Sequence, residues 1–335
     1  MAVLVTGGAG YIGSHMVLDL LEAGEEVVVV DNLSTGFRRA VPHEAAFVEG
    51  DVGDGALIAR LMAEYGVDAV IHFAGSIVVP ESVADPLGYY LNNTVNSRTL
   101  IAEAVRARVP HFIFSSTAAV YGIAREMPVG EDAPLRPISP YGTSKLMTEW
   151  MLRDTAIAHP LSYVALRYFN VAGADPKGRT GQSTPKATHL IKVACEAALG
   201  KRPGLEIYGR DYDTPDGTCI RDYIHVSDLI RAHGDALRHL RAGGDSAVLN
   251  CGYGHGASVL EVLDAVERAA GCALDRRDAP RRPGDAPELI AGAGRIREVL
   301  GWTPVHDDLD GIVSSALAWE RALGPGGSGP GSERS

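Results

Sequence analysis

Ala2-Val3-Leu4-Val5-Thr6-Gly7-Gly8-Ala9-Gly10-Tyr11-Ile12-Gly13 opens the chain; a helical pattern through Leu21 and a second apolar run, Glu26-Val27-Val28-Val29-Val30-Asp31, follow it. Neither apolar run alternates with polar residues. Both therefore read as strands covered on two faces, the habit of a parallel sheet. Gly24 marks the end of the helix between them. Gly8, Gly10 and Gly13 have G-x-G-x-x-G spacing, and Gly7, Gly10 and Gly13 have the wider G-x-x-G-x-x-G spacing. Backbone without side chains can approach a pyrophosphate, and the start of the following helix carries partial positive charge. An isolated glycine motif is often only a tight turn. One set between strand and helix, with an acid closing the next strand, points to a dinucleotide. Asp31 is placed to accept from the adenosine ribose hydroxyls, and its charge repels a 2′-phosphate. That favours NAD over NADP, although Arg38 and Arg39 follow just beyond the Ser34-Thr35-Gly36 turn.

The chain has 335 residues, of which 46% are hydrophobic and 22% charged, so a sizeable core is affordable. Lys and Arg number 31 against 42 Asp and Glu, a net charge of −11. An acidic chain without a basic cluster is a poor nucleic-acid binder, and an anionic ligand must be held by local donors. Cys195, Cys219, Cys251 and Cys272 are far apart, with no zinc spacing and no C-x-x-C pair, so no metal site is expected. Reduced thiols, no room for a signal peptide and no membrane-length apolar run give the expectation of a cytoplasmic protein.

The strand–helix alternation continues. Ala46-Phe47-Val48-Glu49, Ala69-Val70-Ile71-His72-Phe73, His111-Phe112-Ile113-Phe114 and Ser162-Tyr163-Val164-Ala165-Leu166-Arg167-Tyr168 read as further strands, and Leu87 to Arg106 as one long helix. Ligands of a doubly wound sheet bind beyond its strands' carboxyl ends. Asp51, Phe73 to Gly75 and Ser115 to Thr117 stand at such ends. The expected fold is α/β: a Rossmann-type doubly wound parallel sheet over 1–170, with some later segments returning to it. A smaller mixed α/β substrate-binding lobe follows over 171–320. The Gly- and Pro-rich end, 321–335, is expected to be a disordered tail.

Pro140 reads as the first residue of a helix, and Tyr141 and Lys145 then share one face four residues apart. An ammonium beside a phenol favours the phenolate, which would make Tyr141 a proton acceptor near neutral pH. With the glycine turn and the hydroxyls of Ser115 to Thr117, this pair resembles the extended short-chain dehydrogenase/reductase superfamily. Asn92-Asn93, Val120-Tyr121-Gly122, Arg167-Tyr168-Phe169-Asn170, Gly217 to Val226 and Ala279 to Asp285 narrow the resemblance to the UDP-glucose (UDP-galactose) 4-epimerase family, over roughly Val3 to Trp319.

The resemblance implies Tyr141, Lys145 and Thr117 as the catalytic set. It implies NAD contacts from Gly7, Gly10, Tyr11, Ile12, Gly13, Asp31, Asn32, Ser34, Thr35, Gly36, Asp51, Val52, Phe73, Ala74, Gly75, Asn92, Ser115, Tyr141, Lys145 and Phe169. For a UDP-sugar it implies Thr117, Tyr141, Asn170, His189, Leu190, Tyr208, Arg221, Arg282, Asp285 and Leu289, and it implies a homodimer. His189 and Ile77 depart from the family pattern. The resemblance also implies that Leu289 stands where the residue type limits the sugar's 2-substituent; the alternative is that it only packs the lobe. UDP-N-acetylglucosamine 4-epimerase and a nucleotide-sugar dehydratase or decarboxylase are the alternatives within the superfamily. A non-catalytic NAD-sensing protein is the alternative outside enzymes. Dehydratases need an added acid/base beside the Ser/Thr, whereas Ala118-Ala119, which cannot titrate, follow Thr117.

Overall fold

The computed structural model describes residues 1–184, 187–282 and 284–323. Its centre is a parallel sheet. β1 (Ala2–Thr6), β2 (Glu26–Asp31), β3 (Ala46–Glu49), β4 (Val67–His72), β5 (His111–Thr117) and β6 (Ser162–Tyr168) supply six strands. Short strands β7 (Asn170–Ala172), β8 (Leu205–Tyr208), β9 (Ile220–Arg221) and β10 (Tyr223–His225) leave the sheet, and β11 (Ala247–Cys251) returns as its seventh strand beside β6. β12 (Ala257–Ser258), β13 (Arg276–Ala279) and β14 (Glu288–Leu289) complete the outer part, where β7 pairs β10, β8 pairs β13, and β9 lies between β12 and β14.

The apolar runs divide their side chains strictly by parity. Val3, Val5, Val27, Val29, Ile71, Ile113 and Leu166 face one core, with α1 (Tyr11–Glu22) packed on it. Leu4, Val28, Val30, Val70, Phe112 and Phe114 face the other. α2 (Gly55–Glu64) covers that second face. After it, α3 (Val79–Ala84) and α4 (Pro86–Tyr89) lead into a π-helical turn, Tyr90–Val95, and α5 (Asn96–Ala107). α6 (Pro140–Ala158) completes the layer. α7 (Leu190–Ala198) and α8 (Val226–Arg241) pack into the first core, joined by α9 (Val259–Ala270), α10 (Gly294–Leu300) and α11 (Leu309–Ala322). A strand with helices on both sides must be apolar at every position, which is why alternation was missing from the sequence.

Several expectations are corrected. The helix from Leu87 to Arg106 is interrupted by the π-helical turn. Val248-Leu249-Asn250, which falls in the stretch expected to form the smaller lobe, is part of β11 in the main sheet. The expected tail starts too early: α11 runs through Ala322 and Leu323 is buried, while 324–335 lie outside the described residues. The short strands β7, β9, β10, β12, β13 and β14 carry too few residues for periodicity to register.

Beneath the carboxyl edge of the sheet lies a buried polar network. Arg167 on β6 donates through Nε and Nη2 to the two oxygens of Glu149 on α6, at 2.9 and 2.6 Å. Both side chains are only 4% exposed. Ser116 on β5 donates to the same carboxylate. Arg167 Nη1 donates to the Tyr121 hydroxyl, which donates to Asn250 Oδ1 on β11 at 2.6 Å. Three strands and one helix are thus joined through polar groups that all have partners, the condition for tolerating charge inside a core.

Candidate active site

The strand order β11-β6-β5-β4-β1-β2-β3 reverses direction between β4 and β1, and a crevice opens at the carboxyl ends of those two strands. Gly7 turns there at φ +71, and a Cβ on it would lie 2.6 Å from Ala74 N. A Cβ on Gly13 would strike the Gly7 carbonyl, so helix and turn approach only without side chains. α1 begins at Gly10 with no side-chain cap, whereas Asp54, Ser139, Ser258 and Asp308 cap α2, α6, α9 and α11. The α1 N-terminus opens on a cleft of about 130 Å³ lined by Gly10, Tyr11, Ser14, Thr35, Phe37 and Arg39 on one side. Uncapped N–H groups, a side-chain-free turn and an adjoining cleft fit the pyrophosphate of a dinucleotide.

The other cofactor candidates border the same crevice. Asp31 accepts from Ala9 N at 2.9 Å and Leu33 N at 2.8 Å, so it fastens the glycine turn while keeping lone pairs for a hydroxyl. Ser34 N donates to Asn32 Oδ1, and Gly36 packs on the Ala9 backbone. Asp51 accepts from Asn32, Gly53 and Asn96. Val52 is buried beside it, and Ile12 packs into the first core. The Phe73 ring lies 4.9 Å from that of His233.

Around Gly75, Asn93 ties the backbone to α6 and Asn92 lies beside it. Asn93 is 2% exposed; its Oδ1 accepts from Ser76 N and its Nδ2 reaches Ser76 O and Ser144 Oγ. Asn92 reaches only the Ser76 hydroxyl. The π-helical turn sets this arrangement. The Asn93 carbonyl accepts from Ser97 Oγ, whose oxygen also meets His72 Nε2 at 2.7 Å. The other nitrogen of His72 meets Thr6 Oγ1, and burial together with the Lys145 charge depresses its pKa to about 3.

Ser139 caps α6 and Pro140 occupies its first turn, so Tyr141 and Lys145 do share a helical face. Lys145 is 3% exposed, donates to the Ser115 carbonyl at 2.9 Å and sits 4.9 Å over the Phe114 ring. Burial lowers its pKa to about 8. The expected effect on Tyr141 is corrected. Burial raises the phenol's pKa, and the lowering influence comes from the Thr117 hydroxyl. In the chain by itself Lys145 is turned to a carbonyl of β5, and desolvation of the phenol prevails. Phe169 and Leu289 flank this site, packed on the cluster of Ala118, Val120, Tyr121, Val129 and Leu146.

Tyr208, Arg221, Arg282 and Asp285 converge on one side. Asp285 pairs with Arg282 Nε at 3.1 Å and Arg221 Nη2 at 3.6 Å, and the Arg282 guanidinium lies 4.5 Å from the Tyr208 ring centroid. Leu289 is the register partner of Arg221. Asn170, His189 and Leu190 line a second, smaller cavity with Tyr223 and Trp319. Gln182 Nε2 lies 2.8 Å from His189 Nδ1, and burial lowers the His189 pKa. Ile77 is half exposed.

Sequence reasoning missed Asn93, the Glu149–Arg167 pair, and Tyr168, whose hydroxyl bonds to Ser115 Oγ. The Asn92-Asn93 pair was visible, but a regular helix gives no sign of which asparagine a π-helical turn aims inward.

The burial of Lys145 predicts a stability signature. An unfolded lysine titrates at 10.5 and the folded one at about 8, so the folded state disfavours the charge. Stability from this group is full above pH 10.5 and is lost as pH falls to 8, a difference of roughly 3 kcal/mol. Lys145→Met in the cofactor-free chain should therefore unfold at higher urea than the parent at pH 7. The gain should shrink toward pH 10.5. Lower urea resistance at pH 7 would contradict the burial cost.

Comparison with known proteins gives the family. Residues 3–252 match the model of the NAD dependent epimerase/dehydratase family. The chain is 64% identical to the UDP-glucose 4-epimerase of Azospirillum brasilense over 321 residues, 96% of this chain and 92% of that protein. It superposes with TM-score 0.92 on the UDP-glucose 4-epimerase of Brucella ovis in complex with NAD, at 47% identity over 95% of this chain and 97% of that one. The UDP-Glc/GlcNAc 4-epimerase of Campylobacter jejuni aligns at 48% identity and TM-score 0.84, over 96% and 99%. The chain belongs to the NAD dependent epimerase/dehydratase family.

Proposed function

We propose that this chain interconverts UDP-glucose and UDP-galactose through a 4-keto sugar, with NAD as resident cofactor. The observation that carries the reading is the meeting of Tyr141 and Thr117 above buried Lys145, with the untitratable Ala118 and Ala119 next in line. Bound at the glycine turn, NAD would take up and return the hydrogen at C4, and its oxidised ring would add a positive charge near the phenol. Tyr141 accepts the proton of the 4-hydroxyl and later gives it back, while Thr117 orients that oxygen. Lys145 supports the phenolate from below. Arg221 and Arg282 hold the diphosphate, for which they exchange their shared partner Asp285. Asn170, His189, Leu190 and Tyr208 line the nucleotide's path. The ketose turns over while the nucleotide stays anchored, and the other face receives the hydrogen. Elimination to a 6-deoxy sugar lacks its acid/base.

Residues 1–170 with β11 serve the cofactor in this reading and 171–320 serve the sugar nucleotide. We infer further that two copies pair through α4 to α6. Leu87, Leu91 and Val95 form an exposed helical stripe, and Trp150 and Ile157 are exposed on α6. Sedimentation as a single-chain species at micromolar concentration would remove that inference. Among the described helices none is long and apolar enough to cross a membrane. Cys195, Cys219 and Cys251 are buried free thiols, which supports a cytoplasmic setting; recovery of a native disulfide would argue against it.

The direct test uses Tyr141→Phe. The parent, without added NAD, should convert UDP-galactose to UDP-glucose. The variant should lose at least about 10²-fold in kcat while UDP affinity changes little. A near-normal kcat would sink this assignment.

A second activity, on the N-acetylated pair, is favoured by the Campylobacter jejuni relative's double specificity and by Leu289, which lacks the bulk and hydroxyl of a tyrosine. Leu289→Tyr should abolish turnover of UDP-N-acetylgalactosamine and spare UDP-galactose, since added bulk meets only the larger sugar. Equal proportional changes in kcat/KM for both would show that Leu289 is not the gate.

A further inference from the structure

The cleft at the α1 N-terminus has a second wall. Residues 174–181 form a tight hairpin: Ala174 bridges Gly181, and Asp175 N donates to Thr180 O at 3.0 Å. Its far limb supplies Arg179, Thr180 and Gly181 to the cleft, opposite Gly10, Tyr11 and Ser14.

Four contacts fasten this hairpin across α1. The Tyr11 hydroxyl donates to the Gly173 carbonyl at 2.6 Å. Ser14 Oγ and Thr180 Oγ1 share a buried hydrogen bond of 2.8 Å. Lys177 and Arg179 both reach Glu22 Oε1, on the last turn of α1, at 2.6 Å. Arg179 is held in turn by both oxygens of Asp175 at 2.8 Å. At its base the hairpin is pressed on α11: a Cβ on Gly181 would lie 2.5 Å from Cδ1 of the buried Trp319 indole.

We propose that the hairpin is a strap that retains the cofactor. Its attachments run to the helix whose N-terminus faces the pyrophosphate, so the cofactor can leave only when strap and α1 part. The proposal rests on the reading that NAD is the bound dinucleotide. A redox-neutral reaction returns NAD at every turnover, so slow release costs nothing in rate. The fastening is unequal. The Tyr11 and Ser14 bonds are sheltered, whereas Glu22 is half exposed and its ion pairs weaken with salt. The outer latch therefore opens first.

The test follows NAD release from the purified holoenzyme by rapid gel filtration and quantification of NAD remaining on the protein. Glu22→Ala removes both outer ion pairs without entering the cleft, and should speed release about three- to ten-fold. Gly181→Ala forces the strap off Trp319 and should speed it further. Raised salt should accelerate release from the parent and have little effect on Glu22→Ala. Activity of Glu22→Ala with excess NAD supplied should equal the parent's. If Glu22→Ala and a folded Gly181→Ala both release NAD within two-fold of the parent rate, the strap is overturned and the functional reading stands. A chain that holds NAD in this variant-sensitive way but leaves UDP-galactose unchanged keeps the strap and overturns the functional reading.

Discussion

The Arg167–Glu149 pair sets the geometry on which the site depends. Glu149 lies two turns beyond Tyr141 on α6, and Arg167 is one residue before Tyr168 on β6. Their two parallel hydrogen bonds fix the rotation and height of α6 on the sheet. Ser116, bonded to the same carboxylate, directly precedes Thr117. One buried ion pair thus indexes the phenol, the threonine hydroxyl and the end of β6 to one another. Its desolvation cost is offset because every charged atom has a hydrogen-bond partner, and loss of either side chain would strand a buried charge. A pair of leucines could fill the volume but would allow α6 to rotate, and proton transfer tolerates little misplacement.

A second constraint is the absence of side chains at the glycine turn. Gly7 meets the backbone after β4, and Gly13 meets Gly7. That closeness brings the start of α1 to the strand-order reversal, where a parallel sheet leaves its crevice. The dinucleotide end and the catalytic end are then two parts of one edge. Lys145 spans them from below, bonded to the carbonyl of Ser115 with Gly75 alongside. The arrangement costs stability, as buried lysine sites do, and the cost falls where function requires a charge.

The fold was largely legible because its signal is long-range and redundant: five of the apolar runs are covered on both faces, and each ends in a small or polar residue at the crevice. The site was legible where a side chain's role follows from spacing on a regular helix, as with Tyr141 and Lys145. It was not legible where irregular backbone decides. The π-helical turn buries Asn93 in a structural network beside Asn92, and nothing local to Tyr90–Val95 signals it. The sense of the Tyr141 shift was misjudged because adjacency on a helix face says nothing about desolvation, and burial outweighs the lowering influence of the Thr117 hydroxyl. Asp222 is another residue whose part required three dimensions. It is fully buried and accepts from the N–H groups of Tyr253, Gly254 and Ala291, thereby tying β14's end to the loop after β11.

In the proposed reaction one hydrogen leaves C4 of the sugar and returns to the same carbon within a single site. UDP-galactose carrying deuterium at C4 tests it most directly, with the product followed by mass spectrometry and NMR in ordinary water. The product should be UDP-glucose that keeps its deuterium at C4, with no label in solvent and no loss of the 6-hydroxyl. Deuterium washed into water, or a 4-keto-6-deoxy product, would contradict it.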